Sequence, residues 1–269
     1  MPVYWFALSQ VPVINNRNAI LIFGILHLLV YPASNGYNSY MDRDTESIGG
    51  IEHPLQPTRE LLRVTMLMDF ISILAGLLIS VYFAIGITAY ILASRAYSFR
   101  GIRLKKYPFI GYLTVIIFQG AVSFAIVYHG ASADLTLRIP VMLMLVSSLL
   151  IGGFYPLTQI YQHEADVKDG VASISYKLGY RGTFIFCAIV YGLAFGLLLY
   201  YFTASQRMKD FLILATCMLP ILVYFFIWAS RVWKNTAAAS FRNTMRMNLI
   251  ASLCTNIGFV TLLIRRHFE

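Results

Sequence analysis

Hydrophobic positions along this chain form long, nearly uninterrupted runs rather than short amphipathic stretches. As a helix, a run of about 20 mainly apolar residues crosses roughly 30 Å of hydrocarbon. The pattern therefore predicts an all-α, polytopic bundle of membrane helices around a central cavity. We place eight full spans near Ala19–Met41, Leu61–Leu77, Leu78–Tyr97, Pro108–Tyr128, Ile139–Tyr161, Thr183–Thr203, Phe211–Trp233 and Met245–Ile264.

Two apolar segments of the chain do not have the length of a single span. The second and third spans form one apolar run of about 37 residues, which is too long for a single crossing, so we expect a tight hairpin near Gly76 and Ser80. At the N-terminus, Val3–Ile14 is apolar but has only 12 residues. We interpret it as the second half of a first helix that begins outside this sequence, which gives about nine membrane helices in all.

Composition supports the membrane assignment and sets its orientation. Hydrophobic residues make up 58% of the chain, charged residues only 12%, and the mean hydropathy is +0.68, which excludes a water-soluble globule. The net charge is +9, and no basic run with interleaved aromatics indicates a nucleic-acid partner. Basic residues are concentrated on one side of the span map, which the positive-inside rule assigns to the cytoplasm. Fifteen of the 21 lie there: Arg43, Arg59, Arg63, Arg95, Arg100, Arg103, Lys105, Lys106, Lys168, Lys177, Arg181, Arg231, Lys234, Arg242 and Arg246.

Two acidic clusters lie on this same predicted cytoplasmic side. The first ends an apolar span with Asn38, Asp42, Asp44 and Glu46, and the second is the stretch 162–169. Ionisable groups at a membrane boundary are costly and are usually functional. We expect the two clusters to face each other across the bundle and to share a divalent cation.

A basic loop, Tyr97–Lys106, follows another span on the same side. Carboxylates that hold a hard cation, with arginine and lysine nearby, suit a diphosphate group. The cation bridges phosphate oxygens, and the basic side chains neutralise the remaining charge. The combination therefore indicates a binding site for a diphosphate ester.

These motifs resemble those of the UbiA superfamily of integral-membrane prenyltransferases, and the resemblance runs over nearly the whole chain. The first family motif is an Asn followed four and eight positions later by acids, and Asn38, Asp42 and Glu46 match it. Residues 97–105 match the basic loop after the fourth helix. The second motif has two Asp four apart, then a Gly and a Leu-Gly pair, and it is matched by Gln162, Asp166, Gly170, Leu178 and Gly179.

The resemblance implies one prenyltransferase domain over residues 1–269, with its active site at the cytoplasmic face. Its partners would be an isoprenyl diphosphate donor, a hydrophobic aromatic or lipid-like acceptor, and the bilayer, with no obligate protein partner evident. Asp42 and Asp166 would be catalytic. Mg²⁺ would be held by Asn38, Asp42, Glu46 and Asp166, with Gln162 also at the cofactor, and the diphosphate by Arg100, Arg103 and Lys105.

The chain departs from the family motifs at two positions. Glu46 replaces the commoner Asp and should still bind Mg²⁺, whereas Gln162 stands where an Asp is usual. Because Gln162 offers only a neutral oxygen, it lowers the negative charge of the site and weakens the case for a second cation. Glu164 and Asp169 are nearby carboxylates that could compensate.

Two functional alternatives remain open at this point. A transporter could use the acidic clusters as an ion site, although the clusters lie at helix ends rather than at the bilayer midplane. A degenerate family member could bind isoprenoid lipids without turnover. Asp69, an acid inside a span, fits structural pairing or acceptor contact equally well. Gly192 and Gly196 are interpreted as a close-packing site between two helices of the chain.

Overall fold

The computed structural model describes residues 2–43, 51 and 54–268, and these form helices joined by short connections. Within these ranges the extended structure is confined to isolated bridges, such as that between Ile14 and Ser132. Single 3₁₀ turns occur at Leu104–Lys106 and Thr236–Ala238. The helices are α1 (Pro2–Gln10), α2 (Asn16–Asp42), α3 (Arg59–Leu77), α4 (Val81–Ser98), α5 (Pro108–Ala131), α6 (Val141–Gln159), α7 (His163–Lys168), α8 (Ile174–Ala204), α9 (Met208–Lys234) and α10 (Phe241–Phe268).

Six of these helices, α2, α5, α6, α8, α9 and α10, are long and apolar enough to cross a membrane. The predicted all-helical class is confirmed, but the predicted count of about nine membrane helices and the central cavity are not. Helix α1 has only nine residues. Helix α3 carries Arg59, Glu60, Arg63 and Asp69 within its 19 residues, so its apolar character is lower than that of the six.

The predicted hairpin between the second and third apolar runs is confirmed. Helix α3 ends at Leu77 and α4 begins at Val81, after Ser80 has accepted a hydrogen bond from the Phe83 amide at 3.0 Å. This is a helix N-cap, which satisfies a backbone donor that the first turn leaves open. Gly76 allows the close approach, because a Cβ there would lie 3.3 Å from the Ala84 Cα.

Two membrane helices contain a widened, π-helical segment, Ile25–Val30 in α2 and Ile116–Val122 in α5. The second is held by Ser148 of α6, whose hydroxyl donates to the Ile116 carbonyl at 2.8 Å and accepts from the Ala121 amide at 3.1 Å. A π-helical turn takes some backbone N–H and C=O groups out of the regular helical hydrogen-bond pattern. The Ser148 hydroxyl serves as a partner for two such groups in this segment.

The interpretation of Gly192 and Gly196 as a close-packing pair is wrong. A Cβ added at either position would meet nothing within 4 Å, so neither glycine brings another helix close. Both glycines are exposed on the surface of α8. Gly120 has the packing role instead, since a Cβ there would lie 2.5 Å from the Ser148 Cα.

At the end of the bundle where α9 begins, an arginine cluster ties the first and last helices together. Asp210 accepts from Arg207 at 2.6 Å and from Arg265 at 2.7 Å. Arg207 also reaches the Gln10 side chain at 3.1 Å, and Arg266 donates to the Ser9 carbonyl at 2.9 Å. Through these contacts α1 is fixed against α9 and α10.

Candidate active site

Asn38 and Asp42 lie one turn apart at the end of α2, so their side chains share one face of the helix. The helix stops at Asp42 because Arg43 adopts a left-handed conformation, with φ of 54°. Ser98, the last residue of α4, donates to the Asn38 Oδ1 atom at 2.6 Å. This bond fixes the Asn38 amide, a contact that the sequence analysis did not anticipate.

The predicted basic loop folds over the end of α2. Arg100 donates to the Met41 carbonyl at 2.7 Å and to the Asp42 carbonyl at 3.3 Å, and so it caps carbonyls that the last helical turn leaves without partners. Within the described part of the chain, the Arg100 guanidinium therefore contacts backbone carbonyls. The loop also contains the 3₁₀ turn Leu104–Lys106, which begins after Arg103 turns left-handed with φ of 52°.

Arg103 and Lys105 both contact the Asp42 carboxylate. The Lys105 ammonium forms an ion pair with Oδ2, and Arg103 Nη2 lies 3.8 Å from Oδ1. Arg103 also pairs with the Asp169 carboxylate and donates to the Asp169 carbonyl at 3.0 Å. The basic loop thus joins the first acidic motif to the second.

Asp42 is only 8% exposed, and its Oδ1 atom is buried without a hydrogen-bond partner among the described residues. Leaving a buried charged oxygen without a donor is costly, since its lost hydration is not replaced. An additional cation at this oxygen would restore that stabilisation. The oxygen therefore meets the chemical requirement for a metal ligand.

Asp166 lies in the short helix α7, and its charge influences a pair of tyrosines. Charges on both acids act on the Tyr97 phenol, and the Asp166 charge also acts on Tyr155. The two tyrosine hydroxyls are hydrogen-bonded to each other, and Gln159 donates to the Tyr155 hydroxyl at 2.8 Å. Together with the Arg103 contacts to Asp42 and Asp169, these interactions bring the two acidic motifs to one end of the bundle.

The backbone of the second motif explains its two glycines. Gly170 follows α7 with φ of 70°, and Gly179 interrupts α8 with φ of 67°, conformations that residues with a Cβ rarely adopt. Gln162 precedes α7, and its carbonyl accepts from the Asp166 amide at 2.8 Å. This bond begins the short helix that carries Asp166.

His163 stabilises the same segment as a neutral side chain. Burial lowers its pKa to about 4, so the ring carries no charge near neutral pH. Its Nε2 atom lies 2.8 Å from the Ser175 hydroxyl, and its ring stacks on Tyr180 with centroids 4.8 Å apart. These contacts hold α7 against α8 on both sides of the interruption at Gly179.

The ligand set that the sequence predicts is incomplete within the described part of the chain. Glu46 lies outside the described residues, as does Asp44. No three His, Cys, Asp or Glu side chains of residues 2–43, 51 and 54–268 gather as a metal site. Asn38, Asp42 and Asp166 remain, and all three offer oxygen atoms, the donor type that Mg²⁺ prefers. Their chemistry fits this ion, as does the Asp42 Oδ1 atom, which has no hydrogen-bond donor among the described residues.

Three site residues were missed as functional candidates. Ser98 and Tyr97 belong to the stretch interpreted as the basic loop, and Tyr155 precedes the second motif by seven positions. The polar residues that end α4 in an otherwise apolar run were the available signal for the first two. Tyr155 gave no comparable signal, because tyrosines occur throughout the membrane helices of this chain.

A sequence model of the UbiA prenyltransferase family matches residues 1–250. The chain belongs to the UbiA prenyltransferase family. With its six long apolar helices, it is an integral, multi-pass membrane protein. Members of this UbiA family are prenyltransferases, so prenyl transfer is the activity at family level.

Solved UbiA structures share the fold. An apo UbiA homologue from Aeropyrum pernix K1 matches with a TM-score of 0.71 and 18% identity, over 97% of this chain and 95% of that one. A homologue from Archaeoglobus fulgidus bound to DMAPP and Mg²⁺ gives 0.68 and 18%, over 97% and 93%. A digeranylgeranylglyceryl phosphate synthase gives 0.64 and 18%, over 98% and 91%. No curated protein matches the chain.

Proposed function

We propose that this protein transfers an isoprenyl group from an isoprenyl diphosphate to a hydrophobic acceptor, in a Mg²⁺-dependent reaction at the cytoplasmic side. The observation that carries the proposal is the environment of Asp42. It combines a buried carboxylate oxygen with no hydrogen-bond donor among the described residues, two basic side chains, and a second acidic motif joined through Arg103. This arrangement suits a cation and a diphosphate bound side by side.

Asn38, Asp42 and Asp166 would hold Mg²⁺, joined by Glu46 and with Gln162 as a neutral oxygen donor. When bound, Mg²⁺ neutralises diphosphate oxygens and so makes diphosphate a better leaving group. Arg103 and Lys105 already lie beside Asp42 and would bind the remaining diphosphate charge. Arg100 caps the end of α2, and its charge stays close to the same site.

The reaction breaks the bond between the allylic carbon and the bridging oxygen, and the electron pair leaves with diphosphate. The allylic carbon then bonds to the acceptor, which loses a proton. Positive charge develops on the prenyl group, and aromatic faces can stabilise it by up to about 2 kcal/mol each when water is excluded. Tyr97, which precedes the Asn38 partner Ser98, and Tyr155, which is hydrogen-bonded to Tyr97, are aromatic residues at this end of the bundle.

The bound ligands of the Archaeoglobus fulgidus homologue support this proposal, since that protein binds DMAPP together with Mg²⁺. A second candidate, isoprenoid binding without turnover, rests on Gln162, which removes one carboxylate from the second motif. The transport alternative is weaker, because the Asp69 carboxylate is already paired with Arg95 and is not free to bind a transported ion.

The test is release of inorganic diphosphate from geranyl, farnesyl and geranylgeranyl diphosphates by the purified protein, with and without Mg²⁺. Asp42→Ala should reduce release at least 100-fold, the scale of losing a group that stabilises developing charge. Asp134→Ala is the matched control, because Asp134 is an exposed acid whose described partner is Ser132 rather than a basic site residue.

Full activity of Asp42→Ala would overturn the metal-site assignment. Binding of all three donors without release, across a panel of acceptors, would favour the non-catalytic candidate. Absence of both binding and release would remove support for the diphosphate site itself.

A further inference from the structure

A cavity of about 610 Å³ lies among α1, α6, α8, α9 and α10, and its walls include none of the candidate site residues. Its volume is in the range of sites that enclose small organic ligands. The walls are mainly aromatic and aliphatic, and they include Phe6, Phe154, Tyr191, Phe195, Phe225 and Phe259. No Asp, Glu, Lys, Arg or His lines this cavity within the described chain.

The polar side chains of the wall are concentrated on α10. Asn248, Ser252 and Thr255 follow one another at intervals of four and three residues, so they share one helix face. Thr255 donates to the Ala251 carbonyl at 2.6 Å, and the Ser252 hydroxyl lies 3.4 Å from the Asn256 amide. The Asn248 side chain is exposed to the cavity and makes no hydrogen bond with the described residues.

An unpaired amide in an apolar cavity of a membrane protein is costly, and such residues usually serve a ligand. Asn248 offers two N–H donors and one carbonyl oxygen. It can therefore pair with a hydroxyl or carbonyl of a bound molecule. An isoprenyl chain has neither group, so it would leave the Asn248 amide unsatisfied.

The cavity lies deeper in the bundle than the candidate site, and α6 and α10 run from one to the other. Phe241 at the start of α10 contacts Tyr161, which directly precedes Gln162, with ring centroids 5.3 Å apart. Asn248 lies seven residues further along, about 10 Å deeper at 1.5 Å per helical residue. On α6, Phe154 lines the cavity and its neighbour Tyr155 bonds to Tyr97 of the active site.

We propose that this cavity binds the acceptor, and that the acceptor is an uncharged amphiphile whose hydroxyl or carbonyl pairs with Asn248. This rests on the proposed function and narrows its substrate class. The described wall offers no cation for a carboxylate or phosphate, so aromatic acids and phosphate-bearing lipids are disfavoured there. A neutral phenol or alcohol with an apolar body satisfies both the walls and Asn248.

Gly192 and Gly196 provide a matched pair for testing this assignment. Both lie on α8, and a Cβ at either would meet nothing within 4 Å, so the backbone at both positions accepts a residue with a Cβ. Gly192 lines the cavity, whereas Gly196 is not among its lining residues. Leucine at 192 should fill cavity volume, and leucine at 196 should leave it open.

The experiment uses a 4-alkylphenol carrying a photoreactive diazirine, with the full-length protein in lipid nanodiscs and no donor present. We expect labelling within 186–200 or 247–259, mapped by mass spectrometry. Unlabelled 4-heptylphenol should compete, and an analogue with a terminal carboxylate should compete at least tenfold less well. Gly192→Leu should reduce labelling about fivefold by filling cavity volume. Asn248→Leu should reduce labelling by about the same factor, the scale of one lost hydrogen bond. Labelling of Gly196→Leu should stay within twofold of the parent protein.

Several outcomes would overturn the inference. Equal competition by the carboxylate analogue would remove the neutral-acceptor assignment. Equal labelling of Gly192→Leu and Gly196→Leu would remove the cavity. If farnesyl diphosphate displaces the probe and Asn248→Leu is labelled as strongly as the parent protein, the cavity binds the prenyl chain of the donor instead. Because the assay needs no turnover, diphosphate release without specific labelling refutes only this inference, and labelling without release refutes only the proposed function.

Discussion

The carboxylate of Asp42 has an unusual distribution of partners. One oxygen pairs with Lys105, while the other lies 3.8 Å from Arg103 and has no hydrogen-bond donor in the described chain. Removing one partner of a poorly solvated ion pair strongly destabilises the protein, because the remaining charge is left without compensation. The basic loop and the first motif therefore hold each other in place, and both present charge to the same small volume.

Gln162 is the residue where a substitution should reveal the second motif's contribution. If its side chain is a metal ligand, Gln162→Asp adds a charged oxygen, and the Mg²⁺ concentration for half-maximal diphosphate release should fall about tenfold, equivalent to about 1.4 kcal/mol. Gln206→Asp is the control, because Gln206 is an exposed glutamine in the connection before α9. An unchanged Mg²⁺ titration would show that Gln162 is not a ligand.

Among the helices, the α5–α6 contact depends on one glycine. A Cβ at Gly120 would lie 2.5 Å from the Ser148 Cα and 2.7 Å from its backbone nitrogen, and neither atom can rotate away. We expect Gly120→Ala to lower the free energy of unfolding by about 1–3 kcal/mol through overpacking. Thermal unfolding in detergent measures this.

Gly24→Ala is the matched control for Gly120→Ala. Gly24 is also helical, but a Cβ there would meet nothing within 4 Å. Alanine should be neutral or slightly stabilising there, because it favours the helix over the unfolded chain. Equal effects of the two substitutions would contradict the packing role of Gly120.

Helices α2, α3 and α4 meet at a second polar contact, centred on Arg95. Arg95 pairs with Asp69, and its guanidinium lies 3.9 Å from the centre of the Tyr37 ring. The sequence left the role of Asp69 open between structural pairing and acceptor contact, and the ion pair with Arg95 gives it the structural role. Since Tyr37 immediately precedes Asn38, the contact also supports the first motif.

Removing one member of this pair should cost more than removing both. Asp69→Leu alone leaves a poorly solvated guanidinium and should destabilise the protein by about 3 kcal/mol, whereas adding Arg95→Met should restore part of the loss. Thermal unfolding of the two single variants and the double variant forms the test. Additive losses would argue that the ion pair is not energetically coupled.

At the scale of the whole molecule, charge separates to the two ends of the bundle. The site end contains the basic loop and both acidic motifs, while the opposite end contains the cluster around Asp210. The positive-inside rule predicts that the site end is cytoplasmic. Phosphate esters made in the cytoplasm would then reach the site without crossing the bilayer.

Single-cysteine labelling tests this orientation. In a background with Cys187, Cys217 and Cys254 replaced by alanine, Lys106→Cys should react with a membrane-impermeant maleimide only after cells are opened. Asp134→Cys, in the loop at the other end, should react on intact cells. Labelling of Lys106→Cys on intact cells would reverse the assigned orientation.

The sequence alone determined where most of the helices form and at which of their ends the two acidic motifs and the basic loop lie. Apolar runs of membrane length have few alternatives to a helix, since backbone groups must be satisfied internally in lipid. The hairpin at Gly76 and Ser80 and the opposition of the basic loop to Asp42 followed from positions in the chain. The number of membrane crossings did not, because α3 mixes charged and apolar residues.

Tertiary structure decided which side chains meet. Tyr97 and Tyr155 are 58 positions apart, and Arg103 and Asp169 are 66 apart, so neither contact can be inferred from spacing along one helix. The cavity takes its walls from five helices, and only their packing shows that Asn248 faces it. Hydropathy is a property of one segment, whereas contacts and cavities depend on how several segments pack.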